Sequence, residues 1–265
     1  MRRLTLVIIT QKDSLFIPKT ISSLGEMNEI DIKRIVILDT KGTLENKKGY
    51  FIRLFGLRDS ISMALKYVVA KTLDILDSLA RYKLLKEKRS VRGVAKTHGI
   101  PLTIVQNINS DESYTLLKRE QADLYLSFSA PQVFKKRVLD LPKYGVLNVH
   151  GSFLPKYRGI MPSFWALVNG EEYAGATVHR MAEKIDEGEI LIQEEVDIRS
   201  CRSVYDVISR TKEVGSRIVR KALIMYSIDP ESIQFIKNNI EEGSYYSWPQ
   251  PEDVEKLHNA GKRLA

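Results

Sequence analysis

Val146-Leu147-Asn148-Val149-His150-Gly151-Ser152-Phe153-Leu154-Pro155 begins as a short apolar run and ends in an amide, an imidazole and a glycine. Short β-rich runs bounded by turn residues read as buried strands. Residues 4–10, 35–38, 102–105 and 123–128 are runs of the same kind, and 146–149 continues their series. A short helix is expected over 18–24, and a polar helix over 111–121 leads into the strand at 123. This alternation predicts an α/β fold with a mostly parallel, Rossmann-like, doubly wound sheet. Such sheets place their sites outside the carboxyl ends of strands, which is where Asn148 and His150 fall.

Downstream, Pro162 stands near the start of a helix expected over 162–168. Residues 175–181 and 189–198 read as strands flanking a loop at Asp186. Ser203-x-x-Asp206 has the form of a capping box and opens a long helix towards Met225. The tail, Ser244-Tyr245-Tyr246-Ser247-Trp248-Pro249-Gln250-Pro251, is aromatic and punctuated by proline, and a last short helix is expected over 252–262. The segment 47–92 interrupts the alternation. There Ile61, Leu65, Val68, Thr72, Leu76 and Leu79 recur at three- and four-residue steps, the period of a helix, flanked by Lys66, Lys71, Asp74, Asp77 and Arg81. The expected organisation is a main domain over 1–200, carrying a basic helical insertion at about 47–92, with a helical and aromatic extension over 201–265 packed on it.

A chain of 265 residues with 43% hydrophobic content can bury a substantial core, which excludes a disordered chain. One cysteine, Cys201, excludes an intramolecular disulfide framework and suits a reducing cytoplasm. Met1-Arg2-Arg3 precedes an apolar run, but Gln11-Lys12-Asp13 follows without a small-residue cleavage site, so a first core strand is expected in place of a signal peptide. No apolar stretch approaches the roughly 18 residues of a spanning helix. The net charge of +8 is local: residues 47–92 hold twelve Lys/Arg and four Asp/Glu, and the rest of the chain sums to zero.

Asn148, His150 and the later Asp186 are the parts needed to move an acyl group onto an amine. An amide can hold the oxyanion formed when a carbonyl is attacked. An imidazole titrates near neutrality and can carry the proton from amine to leaving group, with a carboxylate to orient it. The histidines, His98, His150, His179 and His258, have no Cys or His partners at zinc spacing, so no metal site is expected. Neither a Walker A loop nor a Gly-x-Gly-x-x-Gly turn points to a nucleotide cofactor.

The string Asn148-x-His150-x-Ser152-x-Leu154-Pro155-x-x-Arg158-Gly159, then Ala176-Thr177-Val178-His179, then Ile185-Asp186-x-Gly188-x-Ile190, resembles the signature of the 10-formyltetrahydrofolate-dependent formyltransferases. That family includes glycinamide-ribonucleotide, methionyl-tRNA and sugar-nucleotide enzymes. Three blocks in order, with 38 positions from Asn148 to Asp186, are far more specific than a lone Asn-x-His. The resemblance implies 10-formyltetrahydrofolate as co-substrate and no metal. It implies that Asn148 holds the oxyanion, His150 acts as general acid and base, and Asp186 positions it. It places the pteridine largely against backbone at Ser129, Ala130, Pro131 and Gln132 and around the acidic loop, with Met181, Ile185 and Gly188 beside it. Ser152, Arg158, Thr177 and His179 would line the substrate side. Arg158 could bind an anionic group or tie the loop down, and Ser152 and Thr177 could bond substrate or backbone.

Departures from the family carry information about the acceptor. The first strand runs into Gln11-Lys12-Asp13-Ser14-Leu15-Phe16, without glycines to let backbone N–H groups approach a phosphate, which argues against glycinamide ribonucleotide. Methionyl-tRNA enzymes carry a further C-terminal domain, and this chain ends soon after its catalytic-type region. The aromatic tail resembles that of sugar-nucleotide enzymes, although Trp248-Pro249 departs from it. The expected reaction is therefore formylation of the primary amine of a small molecule, an amino-sugar nucleotide first. Alternatives are a methionyl-tRNA formyltransferase-like enzyme that uses the 47–92 segment to contact nucleic acid, and a formyltetrahydrofolate hydrolase. The insertion could also meet a partner protein or an anionic membrane surface. The sequence does not indicate an oligomeric state.

Overall fold

The computed structural model describes residues 3–39 and 48–265, so position 47, where the insertion is expected to begin, lies outside the described residues. Along the chain run β1 (Leu4–Gln11), α1 (Ile17–Gly25), β2 (Ile30–Leu38), α2 (Lys48–Leu79), α3 (Val91–Thr97), β3 (Leu102–Val105), α4 (Asp111–Glu120), β4 (Leu124–Phe128) and α5 (Lys136–Leu139). Then come β5 (Val146–His150), β6 (Arg158–Gly159), α6 (Pro162–Val168), β7 (Tyr173–Arg180), β8 (Ile190–Asp197), α7 (Val204–Ile228), β9 (Tyr245–Tyr246) and α8 (Pro251–Asn259). Seven strands form one sheet in the order β3-β2-β1-β4-β5-β7-β8. The five from β3 to β5 are parallel, and β7 and β8 complete the sheet antiparallel.

The apolar runs are continuous because the sheet is covered on both faces. Leu6 and Ile8 of β1 enter one core with α1, α6 and α7, while Val7 and Ile9 enter a second with Leu117 of α4 and Val138 of α5. β2 begins at Ile30, earlier than its sequence suggests. Its first half alternates Ile30 and Ile32 with the charged Asp31 and Lys33, a half-buried pattern, and only from Ile35 is it buried on both faces.

The capping box at Ser203 and Asp206 forms and opens α7. This helix buries Val207, Val214 and Ile218 in the first core. Gly215 brings it close enough to β5 that an added Cβ would stand 2.9 Å from Val149 Cγ1. The tail then folds back, and β9 pairs with β6 beside the motif loop.

The insertion is helical as its periodicity predicts, with a break at Gly56 (φ 77°). Leu54, Phe55, Ala70 and Asp77 are buried against the domain. The sequence stripe at Ile61, Leu65, Val68, Leu76 and Leu79 is exposed. It lies on the side of the helix away from the core.

Candidate active site

Asn148 and His150, two positions apart on β5, point to the same side of the sheet at its carboxyl end. The antiparallel register with β7 sets His179 opposite Asn148 and Thr177 opposite His150. Asp186 comes from the loop joining β7 to β8, in a left-handed conformation (φ 55°). Gly188 lets that loop fold tightly, because a Cβ there would collide with the Arg180 carbonyl oxygen. Asn238, buried in the tail, donates to the carbonyls of Asp186 (2.9 Å) and Gly188 (3.2 Å) and clamps the loop from outside.

Asp186 is thereby set between two imidazoles. Its Oδ2 lies 3.5 Å from His150 Nδ1 and accepts from the Gly159 N–H at 2.9 Å, while its Oδ1 lies 3.5 Å from His179 Nε2. His150 Nε2 is 2.9 Å from the Tyr157 carbonyl oxygen, so that nitrogen carries the proton and Nδ1 is the basic one. His179 Nδ1 is likewise held as a donor by the Arg180 carbonyl at 2.9 Å. Its Nε2 then accepts from the Asn148 amide at 3.1 Å, which fixes the amide's orientation and leaves its second N–H for another acceptor.

Burial lowers the pKa of His150, with Lys212 and the neighbouring His179 acting in the same direction, against the pull of Asp186 and the Tyr157 carbonyl. Burial works to raise Asp186, but the two histidines and the Gly159 N–H outweigh it and hold the carboxyl well below its usual range. At neutral pH the site therefore holds an ionised Asp186 beside a neutral His150, ready to be protonated. An ionised carboxylate next to a neutral imidazole stabilises that imidazole once it takes a proton.

The remaining sequence candidates divide by how their polar atoms are used. Ser152 donates to the Lys156 carbonyl (2.7 Å). Thr177 donates to the Ser152 carbonyl (2.7 Å) and accepts from Gln193 (3.2 Å), so both hydroxyls hold the loop. Arg158 reaches Glu187 at 2.8 Å and ties the motif loop to the acidic loop. Gln132 receives the Ile108 N–H (2.9 Å) and donates to the Gln106 carbonyl (2.6 Å). Ser129 stands in a left-handed turn just beyond β4 (φ 48°), followed by Ala130 and Pro131, with Ala130 packed on the second core. Met181 packs on that core too, and Ile185 is exposed beside Asp186.

Three residues at the site have no signature in the sequence. Lys212 projects from α7 and donates to Ser129 Oγ at 2.8 Å. Burial pushes its pKa down and Asp13 pulls it up. Gln193 of β8 donates to the Leu154 carbonyl at 2.7 Å, and Asn238 clamps the acidic loop. Only the capping box that starts α7 hinted at Lys212, by fixing where the helix begins. Among the described residues no group of three or more His, Cys, Asp or Glu gathers as a metal site.

The sequence pattern described as "Formyl transferase" matches residues 81–223, more than half of the chain. The bifunctional polymyxin resistance protein ArnA of Wigglesworthia glossinidia brevipalpis is 31% identical over 203 residues, 73% of this chain and 29% of that one. The methionyl-tRNA formyltransferase of Clostridium tetani is 33% identical over 161 residues, 59% of this chain and 50% of that protein. The chain thus spans about half the length of the methionyl-tRNA enzyme it matches. Among solved structures, a sugar N-formyltransferase from a Shewanella species shares the fold, with a TM-score of 0.58, 17% identity, and coverage of 98% of this chain and 88% of the other. The chain belongs to the formyl transferase family.

Proposed function

From that membership we propose that the chain transfers a formyl group from 10-formyltetrahydrofolate to the primary amine of a small molecule, an amino sugar carried on a nucleotide being the leading acceptor class. The observation that carries this reading is Asp186 held between His150 and His179, with the Asn148 amide oriented by His179. In this reading the acceptor nitrogen attacks the formyl carbon and a C–N bond forms. The free N–H of Asn148 meets the oxyanion, a contact whose loss typically costs about 2.7–4 kcal/mol of barrier. The amine's proton passes to His150 at Nδ1, and Asp186 stabilises the imidazolium. The same proton is then delivered to N10 of the folate as its bond to the formyl carbon breaks, releasing tetrahydrofolate and leaving His150 neutral. Thr177, Ser152 and Arg158 support the reading as loop fasteners, and the bend from Ser129 to Gln132 offers backbone groups for the pteridine.

One local feature argues against glycinamide ribonucleotide as acceptor. Asp13 Oδ1 accepts from the N–H groups of Leu15 (2.9 Å), Phe16 (2.7 Å) and Ile17 (2.9 Å), so a carboxylate of the chain fills the start of α1 where a phosphate would need free donors. The test is incubation with 10-formyltetrahydrofolate and a panel of amines, read as tetrahydrofolate release and as mass of the product. A formylated amino-sugar nucleotide is expected. Transfer to other amines alone would remove the acceptor class, and formate release without any acceptor would make the enzyme a hydrolase.

A second reading is methionyl-tRNA as acceptor, favoured by the methionyl-tRNA formyltransferases at 30–33% identity and by the +8 of residues 47–92. Binding that uses those charges should weaken steeply with salt. Formylation of initiator methionyl-tRNA that falls across a salt titration would establish it, and a salt-insensitive or absent complex would not.

A further inference from the structure

Among the described residues twenty-one large hydrophobic side chains are exposed, and eleven of them lie between Ile52 and Leu84. They are ordered. Ile61, Leu65, Val68, Thr72, Ile75 and Leu79 follow one another at steps of four, three, four, three and four, the alternation of a and d positions in a coiled-coil seam. Their exposure is high: 57% at Ile61, 62% at Leu65, 55% at Val68, 50% at Ile75 and 77% at Leu79. Val69 and Leu76, also about half exposed, widen the strip on one side. The opposite edge of the helix, Met63, Ala70 and Asp77 at seven-residue steps, is the one packed on the domain.

Most charges along this stretch of the helix are engaged away from the strip. Asp59 accepts from His258 and from the Leu264 N–H, and Asp74 accepts from Ser90. Asp77 pairs with Lys88, and Lys66 sits 4.5 Å over the Tyr205 ring. Arg58 faces a cavity shared with Arg202 and His258 at the domain side. Between residues 61 and 79, Lys71 is left as the cation beside the strip. A helix that lies on an anionic membrane needs a border of cations along its apolar face. From Ile61 to Leu79 this strip has Lys71 alone beside it, Lys66 being held over Tyr205 and the other basic residues of the segment standing before and after that stretch. An uncharged seam can meet its own copy without like charges in contact.

We propose that two copies of this chain pair through α2, seam against seam. The area is of the right order. Seven aliphatic side chains, each carrying on the order of 100 Å² of apolar surface and somewhat over half exposed, present on the order of 400 Å². A specific interface of standard size buries about 800 Å² per partner, and at the roughly 65% apolar share of homodimers that is about 500 Å². Thr72 within the seam and the exposed Leu57, one turn before Ile61, supply the difference.

Light scattering on the full chain during gel filtration, with sedimentation over a concentration series, tests the pairing without reference to formyl transfer. Twice the chain mass is expected at about 10 μM and above, and Leu65→Asp is expected to weaken pairing by at least about 100-fold. Because Leu65 and Thr72 are exposed, Leu65→Asp and Thr72→Lys should keep the far-UV spectrum and melting temperature of the wild type. A monomeric wild type overturns the proposal. So does a dimer that both variants leave intact, because the interface then lies elsewhere. Flotation of a monomeric chain with phosphatidylserine vesicles overturns it in favour of a membrane surface.

Discussion

Two aspartates, Asp77 fully buried and Asp186 largely so, stand beside cationic or ionisable partners, and they are solvated by the protein in different ways. Asp77 is closed off. It accepts from Lys88 at 3.1 Å and from the N–H groups of Leu84 (2.8 Å) and Leu85 (2.9 Å). Lys88 spends its remaining protons on the carbonyls of Tyr82 and Leu85. Asp186 has one short contact, the Gly159 N–H at 2.9 Å, and two imidazoles that stop at 3.5 Å. The first arrangement is saturated and fastens the end of α2 to the start of α3. The second leaves capacity unused, next to nitrogens that can gain or lose a proton. Satisfied buried charges hold a fold together, whereas incompletely satisfied ones are where protonation can change.

Removing each acid should separate those roles. Asp186→Asn keeps the size and removes the charge that stabilises an imidazolium, so kcat should fall by about 10²–10⁴. His150→Gln should fall as far. His150→Gln should melt close to the wild type at neutral pH, whereas Asp186→Asn should also give up the stabilisation that its depressed carboxyl carries. An Asp186→Asn enzyme with near-normal kcat would mean that the carboxylate only holds the fold. Asp77→Ala should do the reverse. Leaving Lys88 buried and unpaired costs about 3–5 kcal/mol of stability, seen in urea unfolding, while kcat of the folded fraction stays near wild type. Asn148→Ala should lower kcat by about 10²–10³ through the lost oxyanion contact, with KM for the folate little changed. A rise in KM at constant kcat would instead make Asn148 a binding residue.

The two acids were not equally legible in the sequence. Asp186 stands in a block whose order and spacing carry chemistry, and β1, β4 and β5 were clear because burial on both faces writes continuous apolar runs. Asp77 looked like a flank of a helical stripe, since nothing local reveals that Lys88, eleven residues on, folds back to meet it. The same limit hid Lys212, Gln193 and Asn238, which reach the site from α7, β8 and the tail through space. The β6–β9 ladder is two residues long on each side, too short for any periodicity to show. The apolar stripe of α2 was legible as a helix face, but periodicity does not say on which side the domain lies.

The smallest expected effect is on the pH dependence of stability, and it separates the acids from the histidine beside them. Folding lowers the pKa of His150 from the ordinary imidazole value of about 6.5. The unfolded chain therefore takes up a proton that the folded chain refuses. This term is neutral above about pH 6.5 and destabilises progressively below it, by up to about 1.4 kcal/mol per pH unit. Asp77 and Asp186 are both depressed by folding, against the opposing pull of burial. Their stabilisation is fully present above the ordinary aspartate value of about 3.9 and is lost only as the pH falls below it. Urea unfolding from pH 8 to 3.5 should thus show an upper loss, setting in as the pH falls below about 6.5, that His150→Gln reduces. A lower loss, below about pH 4, should survive that substitution. A wild-type stability flat from pH 7 to 5 would mean that His150 keeps its ordinary affinity for a proton, and the contrast between a saturated acid and one poised beside a neutral imidazole would fail at the second.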